Sequence, residues 1–144
     1  LIITSVPREV RSVSNDGAQL CVGGPAAAID HRVRAFLRAE ARRIILARIA
    51  ERAGRVPRPP TAVSVRDTRS RWGSCSSAGR LSFSWRLILA PPAVLDYVVA
   101  HELAHLSHRG HGPAFWNAVD RLCDDVAAKR AWLRQHGRDL FRYG

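Results

Sequence analysis

The pentapeptide His101-Glu102-Leu103-Ala104-His105 constrains this chain more than any other stretch. Histidines four residues apart on a helix have Cβ atoms about 5–6 Å apart on one face. Their imidazoles can therefore converge on one ion at the Zn–N distance of about 2.0–2.1 Å. Glu102 lies beside such an ion, where a carboxylate can hold and deprotonate a metal-bound water. The stretch predicts a helix that carries a metal site, and its alternative is a helix with two hydrogen-bonded, partly buried histidines.

A third ligand has to come from beyond the motif. In an unbroken helix His111 would lie about 15 Å from His101, because each residue adds about 1.5 Å. Gly110 readily adopts the left-handed conformation that ends helices, so we expect the helix to end there and His111 to return to the ion. His108 is the rival ligand, but in a continuous helix it would lie about 10 Å along the axis from His101, so we assign it to the substrate side or behind a ligand. We predict one zinc ion per chain on His101, His105 and His111, with water in the fourth position.

Hydrophobic spacing predicts the α+β fold class, with a small antiparallel sheet packed on a central helix that carries the motif. Four segments have helical spacing, with apolar residues every three or four positions, and the second of them carries the motif. They are about 29–53, 92–105, 113–122 and 127–133. Alternating residues predict three short strands, at 63–66, 71–75 and 81–85. Asp30 is the expected N-cap of the first helix, and Gly54 and Gly137 are the expected ends of the first and last helices.

Length favours a single domain over residues 1–144. Residues 1–24 are expected to form an irregular lead-in followed by a hairpin around Asp16-Gly17, a pair that suits a tight turn. No apolar run approaches 18 residues, so we expect no membrane partner. Three widely spaced cysteines, an odd number, suit a reducing compartment. We expect these cysteines to be buried or to have no role in function. They are Cys21, Cys75 and Cys123.

The net charge of +11 raises the question of nucleic-acid binding. All but one of the 23 basic residues are arginines, and they are spread along the whole chain. This distribution favours a generally basic surface over a specific footprint. We therefore expect nucleic-acid binding that is weak and non-specific, and falls with salt.

Several stretches resemble the bacterial YgjP-like metal-dependent hydrolases, which are similar to the SprT-like and WLM proteases. The resemblance covers roughly residues 63–120. Its motifs are 70–76 (SRWGSCS), 85–92 (WRLILAPP), 96–105 (DYVVAHELAH) and 111–116 (HGPAFW).

The resemblance implies a compact zincin fold, zinc on His101, His105 and His111, Glu102 as the catalytic carboxylate, and a cytoplasmic bacterial protein. Members of this group are described either as metallopeptidases or as nucleoside-triphosphate pyrophosphatases. His108 stands where metzincins have glycine, and the chain has no methionine for a Met-turn. The pattern is therefore not that of a metzincin.

The leading hypothesis is a zinc metallopeptidase in which Glu102 is the general base. A second group has to stabilise the oxyanion; the candidates are His108, Arg71 and Tyr143. A strand near Trp72 could capture an extended polypeptide at the sheet edge. Core packing is an equal alternative for the Trp72 side chain.

Two other functions stay open at this point. A metal-dependent nucleoside-triphosphate pyrophosphatase could bind phosphates through Arg71, Arg86 and Arg109. Against it, the chain has neither a P-loop nor an acidic cluster for Mg²⁺. A DNA-associated protein with a structural zinc would leave Glu102 without a role. No obligate partner is evident.

Overall fold

The computed structural model describes residues 2–6, 13–15, 19–23 and 25–143, with the backbone alone before residue 25. The chain divides into two compact units, residues 1–39 and 40–144. Each unit contains its own three-stranded sheet. The single-domain organisation expected from the sequence stays a prediction. Of the described helices, none is both long and apolar enough to cross a membrane.

The sheet of the first unit consists of β1 (Ile2–Val6), β2 (Val13–Asn15) and β3 (Gln19–Gly23). β2 and β3 are antiparallel, as the predicted hairpin requires, and its Asp16-Gly17 turn lies outside the described residues. The lead-in, expected to be irregular, contains β1, which pairs with β3 in parallel. This pairing joins segments far apart in sequence, so no local pattern indicated it.

Helix α1 (Ala26–Arg52) has 27 residues and is followed by a 3₁₀ turn at 53–55. The predicted end at Gly54 is therefore confirmed to within two residues. The predicted N-cap at Asp30 is wrong, because the helix begins four residues earlier, directly after Pro25. Asp30 instead lies within the helix and pairs with Arg34, 3.1 Å away, one turn further along.

The sheet of the second unit consists of β4 (Ala62–Arg66), β5 (Gly73–Cys75) and β6 (Arg80–Ser84), in the order β4-β6-β5. β5 and β6 form an antiparallel hairpin, but β4 pairs with β6 in parallel. The sheet is thus mixed and not antiparallel. Strand direction was not encoded in the pattern, because apolar residues alternate identically in both arrangements. β5 lies at the edge of this sheet.

Three helices complete the second unit: α2 (Pro92–Ala104), α3 (Pro113–Leu122) and α4 (Val126–Leu140). The prediction that the motif helix is the central core helix is confirmed, because nine of the 13 residues of α2 are buried. Pro92 occupies the first turn of α2, where its missing N–H leaves no hydrogen bond unmade. Among the cysteines, Cys75 is half-buried and Cys123 buried, and both are free thiols; the side chain of Cys21 lies outside the described residues.

The expectation that Gly137 ends the last helix is wrong, since α4 continues to Leu140. Gly137 is buried inside the helix, and a Cβ there would lie 3.3 Å from Nε1 of Trp72. The missing side chain allows α4 to approach the indole closely. Glycine serves close packing here and not helix termination.

Arg86 has a fully buried side chain, which excludes the phosphate-binding role considered for it. Its Nη1 lies 2.5 Å from Oδ1 of Asp67 and donates to the carbonyl of Thr68 at 3.1 Å. Its Nε donates to the carbonyl of Tyr143 at 2.8 Å. The guanidinium therefore joins the loop after β4 to the C-terminal residues.

We expect Asp67→Asn to lower the free energy of unfolding by about 1–3 kcal/mol. The cost should be smaller than the roughly 3–5 kcal/mol of a fully enclosed pair, because the Asp67 side chain is 40% exposed. Urea denaturation at pH 7 measures it. In an Arg86→Met background the same substitution should cost much less, since no buried charge is left unpaired. Equal losses in both backgrounds would contradict the assignment.

Candidate active site

Three imidazole nitrogens converge at the C-terminal end of α2. Nε2 of His105 lies 3.2 Å from Nε2 of His101 and 3.2 Å from Nε2 of His111, and the third pair is 3.4 Å apart. A tetrahedral ion with ligands at about 2.0–2.1 Å holds those ligands about 3.3 Å from one another. The triad therefore has the dimensions of a zinc site. Within the described part of the chain, it is the one such group of metal-ligating side chains.

The motif helix ends earlier than the sequence predicted, and the chain turns back towards His101 and His105 before it reaches His111. The helix ends at Ala104, six residues before Gly110, and tight turns follow it. Gly110 does not adopt a positive φ; among the described residues only Gly79 and Asp125 do. The prediction of a left-handed Gly110 was therefore wrong, although the chain does return His111 to the motif.

Hydrogen bonds orient two of the three imidazoles. Nδ1 of His105 lies 2.8 Å from the carbonyl of His108. A carbonyl can only accept, so the Nδ1 of His105 carries the proton and its Nε2 presents a lone pair to the other rings. Nδ1 of His101 lies 3.2 Å from the hydroxyl of Tyr97. His108, predicted to lie behind a ligand or on the substrate side, thus supports His105 through its backbone.

Phe115 provides an apolar floor under the triad. Its ring centroid lies 4.4 Å from that of His105 and 4.9 Å from those of His101 and His111. Phe115 is buried and stands on α3, whose first residue Pro113 follows His111 by two positions. The sequence analysis included Phe115 in the helix at 113–122 and in the motif at 111–116, but gave it no role at the site. The signal that could have linked it to the site was this short distance along the chain.

Burial favours the neutral form of two of the three histidines, His101 and His105. It is the main reason that the pKa of His101 falls to about 4, and the neighbouring His105 and His111 lower it further. Burial also lowers the pKa of His105. Neutral imidazole is the form that binds metal, since a proton on the coordinating nitrogen would compete with the ion.

Glu102 is buried beside the triad, with 5% of its surface exposed. Burial raises the pKa of its carboxyl to about 7, although the positive charge of Arg71 acts to lower it. Gly73 makes this position possible, because a Cβ there would lie 2.8 Å from Cγ of Glu102. Sequence reasoning missed this role of Gly73. The signal was present, since glycine inside a strand marks close approach of another group.

A cleft of about 330 Å³ opens over the triad, and strand β5 forms one of its walls. Arg109 lines this cleft, and its Nη2 donates to the carbonyl of Ser76 at 3.1 Å. A second cavity of about 260 Å³ lies next to it, and Trp72 is part of its wall. Arg71 lines both cavities. Tyr143 lines neither and is 60% exposed, so the structure does not bring it to the site.

Trp72 combines the two roles considered for it. One side of the indole packs on Phe141, with ring centroids 4.3 Å apart, and on Gly137. The same side chain lines the second cavity beside His101 and Glu102. Trp72 is therefore both packed and available to a ligand in that cavity.

The fold is that of a zincin-like metallopeptidase. Among solved structures, it is similar to the crystal structure of the metallopeptidase zymogen abylysin from Pyrococcus abyssi, with a TM-score of 0.55. The two chains are 18% identical, and the similarity covers 65% of this chain and 93% of that chain. At this identity the likeness shows the fold alone. None of the curated proteins matches the sequence.

The sequence itself matches the family described as YgjP-like, metallopeptidase domain, over residues 4–136. The chain therefore belongs to the YgjP-like metallopeptidase-domain family. This membership confirms the resemblance seen in the sequence motifs and supports a metal-dependent peptidase. A divalent metal is implied by this class, and the histidine triad could bind it.

In the metal-free protein we expect Glu102→Gln to stabilise the fold more at pH 8 than at pH 5. The native pKa of about 7 lies above the ordinary value of 4.5, so the native state binds more protons than the unfolded state between those values. The contribution of Glu102 to stability therefore falls as pH rises through this window. Glutamine does not titrate, so the variant does not lose this stability as pH rises.

Urea denaturation in the presence of a chelator, at both pH values, measures the difference. Glu51→Gln, at an exposed position on α1, is the matched control. Equal stabilisation by Glu102→Gln at pH 5 and pH 8 would contradict the raised pKa.

Proposed function

We propose that this chain is a zinc-dependent peptidase that binds one zinc ion through His101, His105 and His111. The observation that carries the proposal is the triangle of Nε2 atoms, 3.2–3.4 Å on each side, with the buried Glu102 next to it. Three neutral ligands leave the ion its full charge. Bound zinc would polarise the attacked carbonyl and lower the pKa of water at its open position.

Glu102 is proposed as the general base and acid. It accepts the proton of the attacking water and passes it to the leaving amine. Burial raises the pKa of this carboxyl to about 7 in the metal-free protein. A bound cation next to it would favour the ionised form, which is the form that accepts a proton from water. Gly73 holds the backbone of β5 against Glu102 and limits where the carboxyl can go.

Arg71 is proposed as the second stabiliser of the oxyanion. It is exposed, lines both cavities, and carries a charge that acts on Glu102. A guanidinium keeps this charge at every working pH. His108 lines neither cavity, which leaves Arg71 the better placed of the two.

A polypeptide substrate is supported by the position of β5. This strand pairs with β6 on one side only and lines the cleft over the triad with residues 73–75. The free side of an edge strand offers N–H and C=O groups to an extended chain. A bound peptide could therefore continue the sheet and lie across the histidines.

The pyrophosphatase alternative receives less support from the same cavities. Arg86, one of the arginines considered for phosphate binding, is fully buried and bonded to Asp67. Glu102 is the sole carboxylate among the residues that line the two cavities, so a Mg²⁺–triphosphate complex would meet no cluster of acidic ligands. A structural zinc in a DNA-associated protein would leave Glu102 without a function.

We expect one zinc per chain in the wild-type protein, and much less when His101, His105 or His111 is replaced by alanine. Loss of one of three ligands leaves too few donors for a tetrahedral site. Elemental analysis after zinc loading and desalting gives the stoichiometry. His108→Ala is the control, because it retains the backbone carbonyl that holds His105. Full retention in His111→Ala, together with loss in His108→Ala, would overturn the assignment.

We expect zinc-loaded wild type to cleave an unfolded polypeptide, and Glu102→Gln to lower this activity at least about 100-fold while it keeps its zinc. General acid–base groups typically contribute about 10²–10⁴-fold. The assay compares peptide cleavage with pyrophosphate release from nucleoside triphosphates, with matched zinc contents. Near wild-type cleavage by Glu102→Gln would exclude the mechanism. Glu102-dependent pyrophosphate release without peptide cleavage would instead favour the alternative function.

A further inference from the structure

The second cavity, which we call the side pocket, opens directly from the cleft over the triad. The two cavities share four lining residues: Arg71, Gly73, His101 and Glu102. The side pocket then extends away from the histidines between β5, α2 and α4. A substrate group that enters it is therefore attached to the chain close to the reacting bond.

The remaining wall of the side pocket is aromatic and aliphatic. Trp72 comes from the residues before β5, Tyr97 and Val98 from α2, and Leu133 from α4. The charged groups of the pocket, Arg71 and Glu102, also line the cleft, and the hydroxyl of Tyr97 lies 3.2 Å from Nδ1 of His101. An apolar wall excludes water, so a ligand group that buries apolar surface against it gains binding free energy.

The volume of the side pocket sets the size of its ligand. It measures about 260 Å³, and an apolar cavity of roughly 150 Å³ is enough to bind benzene. One large side chain therefore fits, whereas a longer stretch of polypeptide does not. A charged side chain would lose its hydration against the apolar part of the wall, which is costly.

We propose that the side pocket binds a large apolar side chain, aromatic or leucine-like, of the substrate residue next to the scissile bond. This inference rests on the proposed peptidase function and adds its specificity. The wall is formed in advance, because Trp72 is fixed by Phe141 and by close approach of Gly137. Leu133 determines the depth of the pocket from the side of α4.

Substitutions at Leu133 test the pocket by changing its size. With zinc-loaded protein and a peptide library varied around the cleaved bond, wild type should prefer Phe or Leu at one flanking position. Leu133→Trp should shift this preference towards Ala by at least about 10-fold in relative kcat/KM, because a change of one methylene in a hydrophobic pocket already alters selectivity by about 10–200-fold. Leu133→Ala should instead improve cleavage next to Trp. Leu140→Trp, seven residues along α4 and outside the pocket, is the matched control and should keep the wild-type preference.

A binding experiment makes the test independent of turnover. In ¹H–¹⁵N spectra, N-acetyl-phenylalanine amide should shift the indole resonance of Trp72, assigned with Trp72→Phe, at concentrations where N-acetyl-alanine amide does not. Leu133→Trp should abolish this shift. If wild type cleaves no peptide, the proposed function fails, and the shift alone then decides whether the pocket binds apolar groups. Cleavage with the same preference in wild type and both Leu133 variants would overturn the pocket while leaving the peptidase function intact.

Discussion

The three Nε2 atoms at 3.2–3.4 Å from one another are the constraint on which the site depends. A neutral ring nitrogen either donates or accepts, so three of them cannot all satisfy each other. Nε2 of His105 must accept, because its Nδ1 proton is donated to the carbonyl of His108. A cation at the centre would satisfy all three lone pairs at once. The end of α2 at Ala104, the turns after it and the Phe115 floor all serve to bring His111 to this point.

Close approaches at two glycines position the groups around the triad. At Gly73 the backbone of β5 lies against Glu102, and at Gly137 the helix α4 lies against Trp72. The first contact defines where the carboxyl stands, and the second supports a wall of the side pocket. The edge strand, the carboxyl and the C-terminal helix are therefore linked through short contacts, although they come from three separate parts of the sequence.

Part of the strong positive charge of the chain is used inside the fold. Arg48 pairs with Asp96 at the start of α2 at 2.8 Å, and Nε of Arg52 donates to the carbonyl of Leu122 at the end of α3. Arg86 is enclosed with Asp67. These contacts fix the positions of helices and loops relative to one another, which the hydrophobic pattern alone does not specify. Net charge therefore overstates the basic surface that is available to an external anion.

The sequence by itself determined the motif helix, its central position and the family, because helical spacing and ligand spacing are local properties of the chain. It also indicated that His111 should join His101 and His105. Only the tertiary structure decided how His111 returns, that β4 is parallel to β6, and that Gly137 serves packing. The physical reason is the same in each case. Turn geometry, strand direction and close approach depend on partners distant in sequence, and a local pattern of residue types contains no information about them.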